Sequence, residues 1–246
     1  MTAVLVIAAS DSSGGAGLTR DVQVLAHFGC DVLCAVTAVT AQTDAQVAAI
    51  HMVPAHLVGT QIATAFAGRR VAAIKIGMLG TTATIRAVTA GLPPRTLVPL
   101  VLDPVLASSS GAALLDAPGI EALRRQLLPR TTLLTPNIAE AALLLEEAPA
   151  TSLDEMQRQA HALLALGPAA VLLKGGHARG DTAVDVLLLA GASVRLLSAP
   201  RLPGTRRGTG CALASAIAAG VAQGLLLADA CEQGKSYVTA LLGREN

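Results

Sequence analysis

The most constraining feature of the sequence is its alternation of short apolar runs with segments of helical periodicity, which continues almost from end to end. Several of the runs are apolar on both faces, as in strands of a parallel sheet that is covered by helices on each side. The repeated strand–helix order predicts an α/β fold: a doubly wound three-layer α/β/α sandwich with a mostly parallel central sheet. We expect a single domain over residues 1–246, since no linker or low-complexity tract divides the chain.

The same patterns predict where the elements lie. Strands are expected at residues 4–8, 32–39, 73–76, 97–102, 132–134, 170–173, 184–189 and 194–197. Helices are expected at residues 18–28, 54–67, 83–90, 119–128, 138–145, 153–166, 211–223 and 227–242. Only a short glycine-containing turn separates the last two strands, which predicts an edge hairpin.

Composition excludes several classes of protein. The net charge is +1 without a basic cluster, and aromatic residues make up 1% of the chain, which argues against a nucleic-acid partner. Residues 1–9 are apolar but lack the basic start of a signal peptide, and the apolar stretch 212–230 is interrupted by polar and glycine residues, so no membrane span is expected. The four cysteines form no CxxC pair, which argues against structural zinc. Free thiols suit a reducing compartment, and we expect a cytoplasmic protein.

The strongest motif is Gly208-Thr209-Gly210-Cys211, which opens a helix made of small residues. Ligands of a doubly wound sheet gather at the carboxyl ends of its strands, and a glycine-rich helix start offers backbone N–H groups to an anion. Cys211 would lie beside a bound phosphate, in a position that lowers the pKa of a thiol. The alternative is a glycine-rich helix cap with a buried, inert cysteine, and the spacing alone does not choose between the two.

A second motif is the Gly-rich segment SDSSGGAG at residues 10–17, between the first strand and the first helix. It is neither a Rossmann fingerprint nor a Walker loop. It is expected to be either a turn that encloses substrate or a plain tight turn. Asp21, one helical turn further on, faces either that pocket or the solvent.

A third motif is TPNIAEA at residues 135–141. Asn137 and Glu140 have the spacing of a capping box at a helix start. Glu140 is also placed to hold hydrated Mg²⁺ together with Asp103, which ends a predicted strand. Neither interpretation excludes the other.

Two further strand ends carry candidate residues. Lys174 stands before paired glycines and is expected either to reach a nucleotide phosphate or to lie on the surface before a turn. Met78, in the segment KIGML, either lies against a flat ligand or packs in the core.

Taken together and in this order, the motifs resemble the hydroxymethylpyrimidine and phosphomethylpyrimidine kinases of thiamine biosynthesis, a family of the ribokinase-like superfamily. The resemblance runs from about residue 6 to residue 238 and is carried by SDSSGGAG, TAQT, KIGML, DPV, TPNIAEA, LLKGGH and GTGC. It implies two successive phosphorylations of a small-molecule pyrimidine, first of the alcohol and then of its monophosphate. ATP as co-substrate, Mg²⁺ and a homodimer are implied in the same way.

The resemblance also implies roles for residues around the substrate. Gln42 would hydrogen-bond the pyrimidine edge, with Met78 and Val105 packed around the ring. Ala9 and Asp21 would belong to the same pocket.

On the nucleotide side, the resemblance assigns phosphate binding and catalysis. Gly208, Thr209 and Gly210 would form the anion hole, and Cys211 would take the proton from the substrate oxygen. Nucleotide contacts are implied for Lys174 and Asn137, and for residues 200–206 beside adenine. The Mg²⁺ ligands would be Asp103 and Glu140.

The sequence departs from the family pattern near the substrate. Ala9 stands where the family commonly has Gly, Thr43 where it has Asn, and Arg207 where it has His. Thr19-Arg20-Asp21 replaces Gln-Ala-Asp. The alternatives are therefore a pyridoxal or pyridoxine kinase of the same superfamily and, from another class, a non-catalytic pyrimidine-binding sensor. A dinucleotide-dependent oxidoreductase is disfavoured because GxGxxG is missing.

Overall fold

A computed structural model describes residues 2–43, 46–108, 111, 113–176, 181–202 and 207–243. Within these residues the strands form one sheet with the order β3-β2-β1-β4-β5-β6-β7-β8-β9. The strands are β1 (Ala3–Asp11), β2 (Asp31–Gln42), β3 (Val47–Met52), β4 (Val71–Ile76), β5 (Leu100–Leu102), β6 (Leu133–Leu134), β7 (Ala170–Leu173), β8 (Thr182–Leu189) and β9 (Arg195–Pro200). Strands β2, β1, β4, β5, β6 and β7 run parallel, while β3, β8 and β9 join antiparallel.

Helices cover both faces of this sheet. They are α1 (Gly17–His27), α2 (Ala55–Gly68), α3 (Thr82–Gly91), α4 (Ala117–Ala122), α5 (Ile138–Leu145), α6 (Leu153–Ala165), α7 (Thr209–Ala222) and α8 (Leu227–Gly243). No helix in this part of the chain combines the length and the apolar character that crossing a membrane requires.

The core has two halves because successive strand side chains point to opposite faces. On β1, Leu5 and Ile7 join a cluster that includes side chains of α2, α3, α5 and α6. Val4 and Val6 join a second cluster with side chains of α1, α7 and α8. All four β1 side chains are fully buried, so the sheet is the middle of three layers. The predicted three-layer fold with a mostly parallel sheet is confirmed.

Most predicted elements are present with shifted ends, and the edge hairpin of β8 and β9 is confirmed. Strand β3 was not predicted, because its residues are mostly exposed and lack apolar alternation. The helix predicted at 119–128 is instead α4, a π-helical turn Leu123–Leu127 and a 3₁₀ turn Leu128–Arg130. Pro129 in this last turn has no N–H to continue an α-helix. The strand predicted at 97–102 is shortened to β5, and Leu97 is exposed.

The carboxyl ends of the parallel strands define one edge of the sheet, where ligands of such folds bind. Gln42 ends β2, Asp103 directly follows β5, and Lys174 directly follows β7. The amino end of α7 approaches the same edge, since Gly210 lies beside Lys174 and Asp103. The fold therefore gathers most of the candidate residues in one place.

Candidate active site

The amino end of α7 lies directly against the loop between β1 and α1. Gly208, the N-cap residue, has a φ of 74°. A Cβ atom at this position would lie 2.2 Å from the carbonyl oxygen of Gly15. Gly17 has a φ of 57°, and a Cβ there would lie 2.5 Å from the carbonyl oxygen of Ala9. Gly208 therefore permits the close approach of the two segments, and Gly17 permits the tight return of the chain onto β1, which argues that SDSSGGAG is more than a plain turn.

Cys211 lies in the first turn of α7, where the residue keeps some exposed surface although protein surrounds its thiol closely enough to remove it from water. The backbone N–H of Gly17 hydrogen-bonds its thiol. Burial raises the pKa of Cys211 to about 11, while the charge of Lys75 and the Gly17 hydrogen bond act in the opposite direction. The expectation that the helix start lowers this pKa is wrong for the structure, since desolvation outweighs the favourable contacts. The thiol is protonated at neutral pH.

Behind Cys211 lies a buried ion pair that sequence reasoning missed. Lys75 Nζ is 2.8 Å from Asp21 Oδ1 and 2.7 Å from Oδ2, and neither side chain has exposed surface. Ser215 Oγ, one helical turn after Cys211, donates to Asp21 Oδ1 at 2.8 Å. Asp21 therefore faces neither the solvent nor an open pocket, and its carboxylate is directed to Lys75 and Ser215. A lysine inside an apolar strand was the only signal for this pair in the sequence.

Lys174 and Asp103 form a second ion pair, with Lys174 Nζ 2.9 Å from Asp103 Oδ1. Burial opposes the charged form of Lys174, but Asp103 and Glu140 together raise its pKa above the ordinary value. A Cβ on Gly210 would lie 3.2 Å from Lys174 Nζ and 3.6 Å from Asp103 Oδ2. The ammonium group therefore lies next to the backbone of the GTGC segment, where a phosphate would meet both.

Asn137 and Glu140 form the predicted capping box at the start of α5. The backbone N–H of Asn137 donates to Glu140 Oε2, and the N–H of Glu140 donates to Asn137 Oδ1, each at 2.8 Å. Burial raises the pKa of Glu140 to about 7, with Asp103 adding to the rise and Lys174 opposing it. Asn137 also forms a β-bridge with Lys174, which ties this helix start to the end of β7.

A small apolar cluster, separate from the two core halves, lies at the same sheet edge. Its buried members are Ala9, Ala38 and Met78. Partly buried side chains pack against it, namely Met52, Val105 and Leu114. The structure thus brings together Ala9, Met78 and Val105, the three apolar residues assigned to a ring pocket.

Gln42 borders this edge of the sheet and is held by two neighbours. Ser12 Oγ accepts from the Gln42 backbone N–H at 2.9 Å and donates to the Gln42 carbonyl oxygen at 3.1 Å. Arg207 Nη2 donates to Gln42 Oε1 at 3.0 Å. Arg207 was noted only as a departure from a family pattern, and its contact with Gln42 was not predicted. His177 and residues 203–206, which belong to predicted motifs, lie outside the described residues.

Known proteins resemble this chain over nearly its whole length. A family model described as phosphomethylpyrimidine kinase matches residues 11–245. A hydroxymethylpyrimidine/phosphomethylpyrimidine kinase of Rhizobium meliloti is 41% identical over 243 residues, covering 98% of this chain and 91% of that relative. The chain belongs to the phosphomethylpyrimidine kinase family. The predicted kinase of thiamine biosynthesis is confirmed at this level.

Solved structures agree with the family assignment and with the ribokinase-like fold. The phosphomethylpyrimidine kinase of Clostridium difficile has a TM-score of 0.85 and 33% identity, covering 98% of this chain and 99% of its own. An ADP complex of Bacillus subtilis pyridoxal kinase has a TM-score of 0.89 and 30% identity, covering 98% and 91%. Overall shape therefore matches kinases for two different rings, and the choice of substrate depends on the side chains of the site.

Proposed function

We propose that this phosphomethylpyrimidine kinase family member transfers phosphate from ATP to 4-amino-5-hydroxymethyl-2-methylpyrimidine and then to its monophosphate, for thiamine biosynthesis. One observation carries the proposal: an apolar cluster with a carboxamide nearby lies at the same sheet edge as a helix start with a lysine and a thiol. Phosphoryl transfer depends mainly on positioning and charge neutralisation, which this arrangement supplies. The non-catalytic sensor is disfavoured because Cys211, Lys174 and Glu140 are all present and face one edge.

The nucleotide phosphates would bind between Lys174 and the GTGC segment. The first backbone N–H groups of a helix have no partner inside that helix, so those of Gly208, Thr209 and Gly210 suit an anion. The Lys174 ammonium lies beside Gly210 and adds a full positive charge. Asn137, bridged to Lys174, would fix the position of that lysine and border the nucleotide.

Asp103 and Glu140 would hold Mg²⁺. Among the described residues no group of three or more metal-binding side chains is found. Mg²⁺ needs no such group, because it is commonly bound by one or two carboxylates together with water and substrate phosphates. The negative charge of Asp103 contributes to the raised pKa of Glu140, and both carboxylates help to raise the pKa of Lys174, so they act on the same part of the site. When bound, the ion would neutralise charge on the phosphates.

Cys211 would accept the proton of the attacking oxygen. With a pKa of about 11 the thiolate is a minor form at pH 7. The positive charge of Lys75 and the hydrogen bond from the Gly17 N–H both favour the thiolate. A base of this kind works better as the pH rises, so the turnover should increase on the alkaline side of neutrality.

The specific alternative is a pyridoxal kinase, because the structure also matches such an enzyme. Gln42 favours an aminopyrimidine, since a carboxamide offers both a donor and an acceptor to the ring edge. The test compares kcat/KM for hydroxymethylpyrimidine and pyridoxal. A tenfold preference for pyridoxal, about 1.4 kcal/mol, would overturn the assigned substrate. Gln42→Ala should impair use of the pyrimidine far more than use of ATP, and equal losses would remove Gln42 from ring recognition.

We also propose that the protein acts in the cytoplasm as a homodimer. All four cysteines are free thiols, which suits a reducing compartment.

Val39 on β2 is 52% exposed and Ile50 on β3 is 40% exposed, so the outer strand pair carries large apolar side chains. A second copy could cover them. Light scattering should give twice the chain mass, and Val39→Asp should shift it towards the monomer; a monomeric wild type would refute the dimer.

A further inference from the structure

The contact between Arg207 and Gln42 joins the proposed substrate side of the site, at the end of β2, to the proposed phosphate side, at the start of α7. Arg207 directly precedes the N-cap residue of α7, while Gln42 ends β2, 165 positions earlier in the sequence. We propose that Arg207 is a specificity-determining positioning residue: it fixes the carboxamide of Gln42 so that its N–H donors face the ring. The proposal rests on the ring-recognition role given to Gln42 above.

The orientation of the carboxamide follows from the chemistry of the two groups. A guanidinium group has only donors, so the Gln42 atom that faces Arg207 must be the oxygen. Among the described residues, Gln42 Nε2 donates no hydrogen bond within the protein. Nε2 is therefore available to a ligand, and Oε1 keeps a second lone pair beside it.

This orientation selects a class of ring. It suits an edge with a hydrogen-bond acceptor opposite Nε2 and an adjacent donor for the remaining lone pair of Oε1. A ring nitrogen next to an exocyclic amino group has this pattern. A carboxamide without Arg207 would populate the flipped orientation as well, which places donor against donor and acceptor against acceptor. Fixing it beforehand lowers the cost of binding the matching ring.

Arg207 can fix the orientation of the Gln42 carboxamide because the guanidinium group is itself held by other contacts. Its Nη1 donates to the Thr43 carbonyl oxygen at 2.7 Å and lies 3.4 Å from Ser13 Oγ. Its Nη2 is 3.6 Å from Asp11 Oδ2. Asp11 is itself fixed, since the backbone N–H groups of Ser13 and Ala16 donate to its carboxylate at 2.8 and 2.9 Å.

A lysine at this position would replace the arginine only in part. The guanidinium reaches Gln42 Oε1 with one nitrogen and the Thr43 carbonyl with the other. An ammonium group is a point charge without this planar fork, so it is expected to hold one acceptor less firmly. The KM of Arg207→Lys for hydroxymethylpyrimidine should therefore lie between that of the wild type and that of a variant whose side chain has no hydrogen-bond donors.

The test is a double-mutant cycle with the wild type, Arg207→Met, Gln42→Ala and the combined variant. Arg207→Met should raise KM for hydroxymethylpyrimidine about tenfold and change kcat less than about twofold, and in the Gln42→Ala background it should have almost no further effect. KM for the monophosphate should rise by the same factor, because the monophosphate carries the same ring. Arg69→Met is the control, because it removes one positive charge from an exposed pair with Asp31.

Two kinetic outcomes would overturn the proposal. Additive effects of the two substitutions would show that Arg207 does not act through Gln42. A loss confined to the monophosphate would make Arg207 a receptor for the substrate phosphate instead.

A readout without ligand separates this proposal from the proposed function. If the wild type does not phosphorylate the pyrimidine at all, the proposed function fails. NMR relaxation of the Gln42 side-chain amide still decides the role of Arg207. The amide should be ordered in the wild type and mobile in Arg207→Met; equal mobility in both would refute the positioning role.

Discussion

Lys75 and Asp21 form an ion pair with no exposed surface, in which Lys75 Nζ lies 2.7 Å from Asp21 Oδ2. Burial alone would disfavour the charge on Lys75, but Asp21, Cys211 and Asp103 together raise its pKa above the ordinary value. The lysine therefore remains charged inside the protein. Its charge favours the thiolate of Cys211 and so opposes the effect of burial on the pKa of that group.

Removing one partner of this pair should be costly. Asp21→Asn leaves the Lys75 ammonium buried without a counter-charge, and we expect a loss of about 3–5 kcal/mol in the free energy of unfolding. Denaturant titration measures this. Glu147→Gln, in the exposed pair with Arg158, is the matched control and should change stability much less. Equal losses in the two variants would contradict the account of Lys75.

The raised pKa of Cys211 should be visible in its reaction with iodoacetamide. Only the thiolate reacts, so the alkylation rate of Cys211 should rise about tenfold per pH unit between pH 7 and pH 9, without a plateau. Peptide mass spectrometry separates Cys211 from Cys34, which is exposed. A rate that levels off below pH 8 would mean that the thiol pKa is lowered after all.

The ionisation of Glu140 should lower the free energy of unfolding at alkaline pH. Its folded pKa of about 7 lies above the value of 4.5 expected for the unfolded chain, so the folded state binds more protons between these values. Stability is therefore lost as the pH rises through this window, by up to roughly 3 kcal/mol above pH 7. Glu140→Gln keeps an acceptor for the Asn137 N–H but does not ionise.

The variant should therefore gain stability relative to the wild type at pH 8 and gain less at pH 5, while losing Mg²⁺-dependent activity. Denaturant titrations at the two pH values measure the difference. The same stability difference at both would show that Glu140 does not titrate in this window.

Gly208 is predicted to be irreplaceable for a reason that goes beyond its backbone angle. Gly208→Ala combines a φ of 74° with a Cβ only 2.2 Å from the Gly15 carbonyl oxygen. Gly191 has a φ of 76° and no atom within 4 Å of the added Cβ, so Gly191→Ala reports the angle alone. We expect about 1–2 kcal/mol of destabilisation for Gly191→Ala and a clearly larger loss, with loss of activity, for Gly208→Ala. If Gly191→Ala and Gly208→Ala lost similar amounts of stability and of kinase activity, this would argue against the contact between the two loops.

Local features of the site were predictable because they depend on neighbours in sequence. The capping box of Asn137 and Glu140 follows from their spacing, and the structure has both of its hydrogen bonds. The thiol of Cys211 was misjudged because a helix start is visible in sequence but the depth of burial is not. Strand β3 was missed because an exposed edge strand needs little apolar patterning.

The sequence by itself determined the order of most strands and helices, the parallel part of the sheet, and the strand ends that carry candidate residues, since these follow from periodicity and turn chemistry. Only the tertiary structure decided which charges meet: Lys75 with Asp21, Lys174 with Asp103, and Arg207 with Gln42. The physical reason is that pairing and desolvation depend on distances between residues 54 to 165 positions apart, which no local pattern encodes.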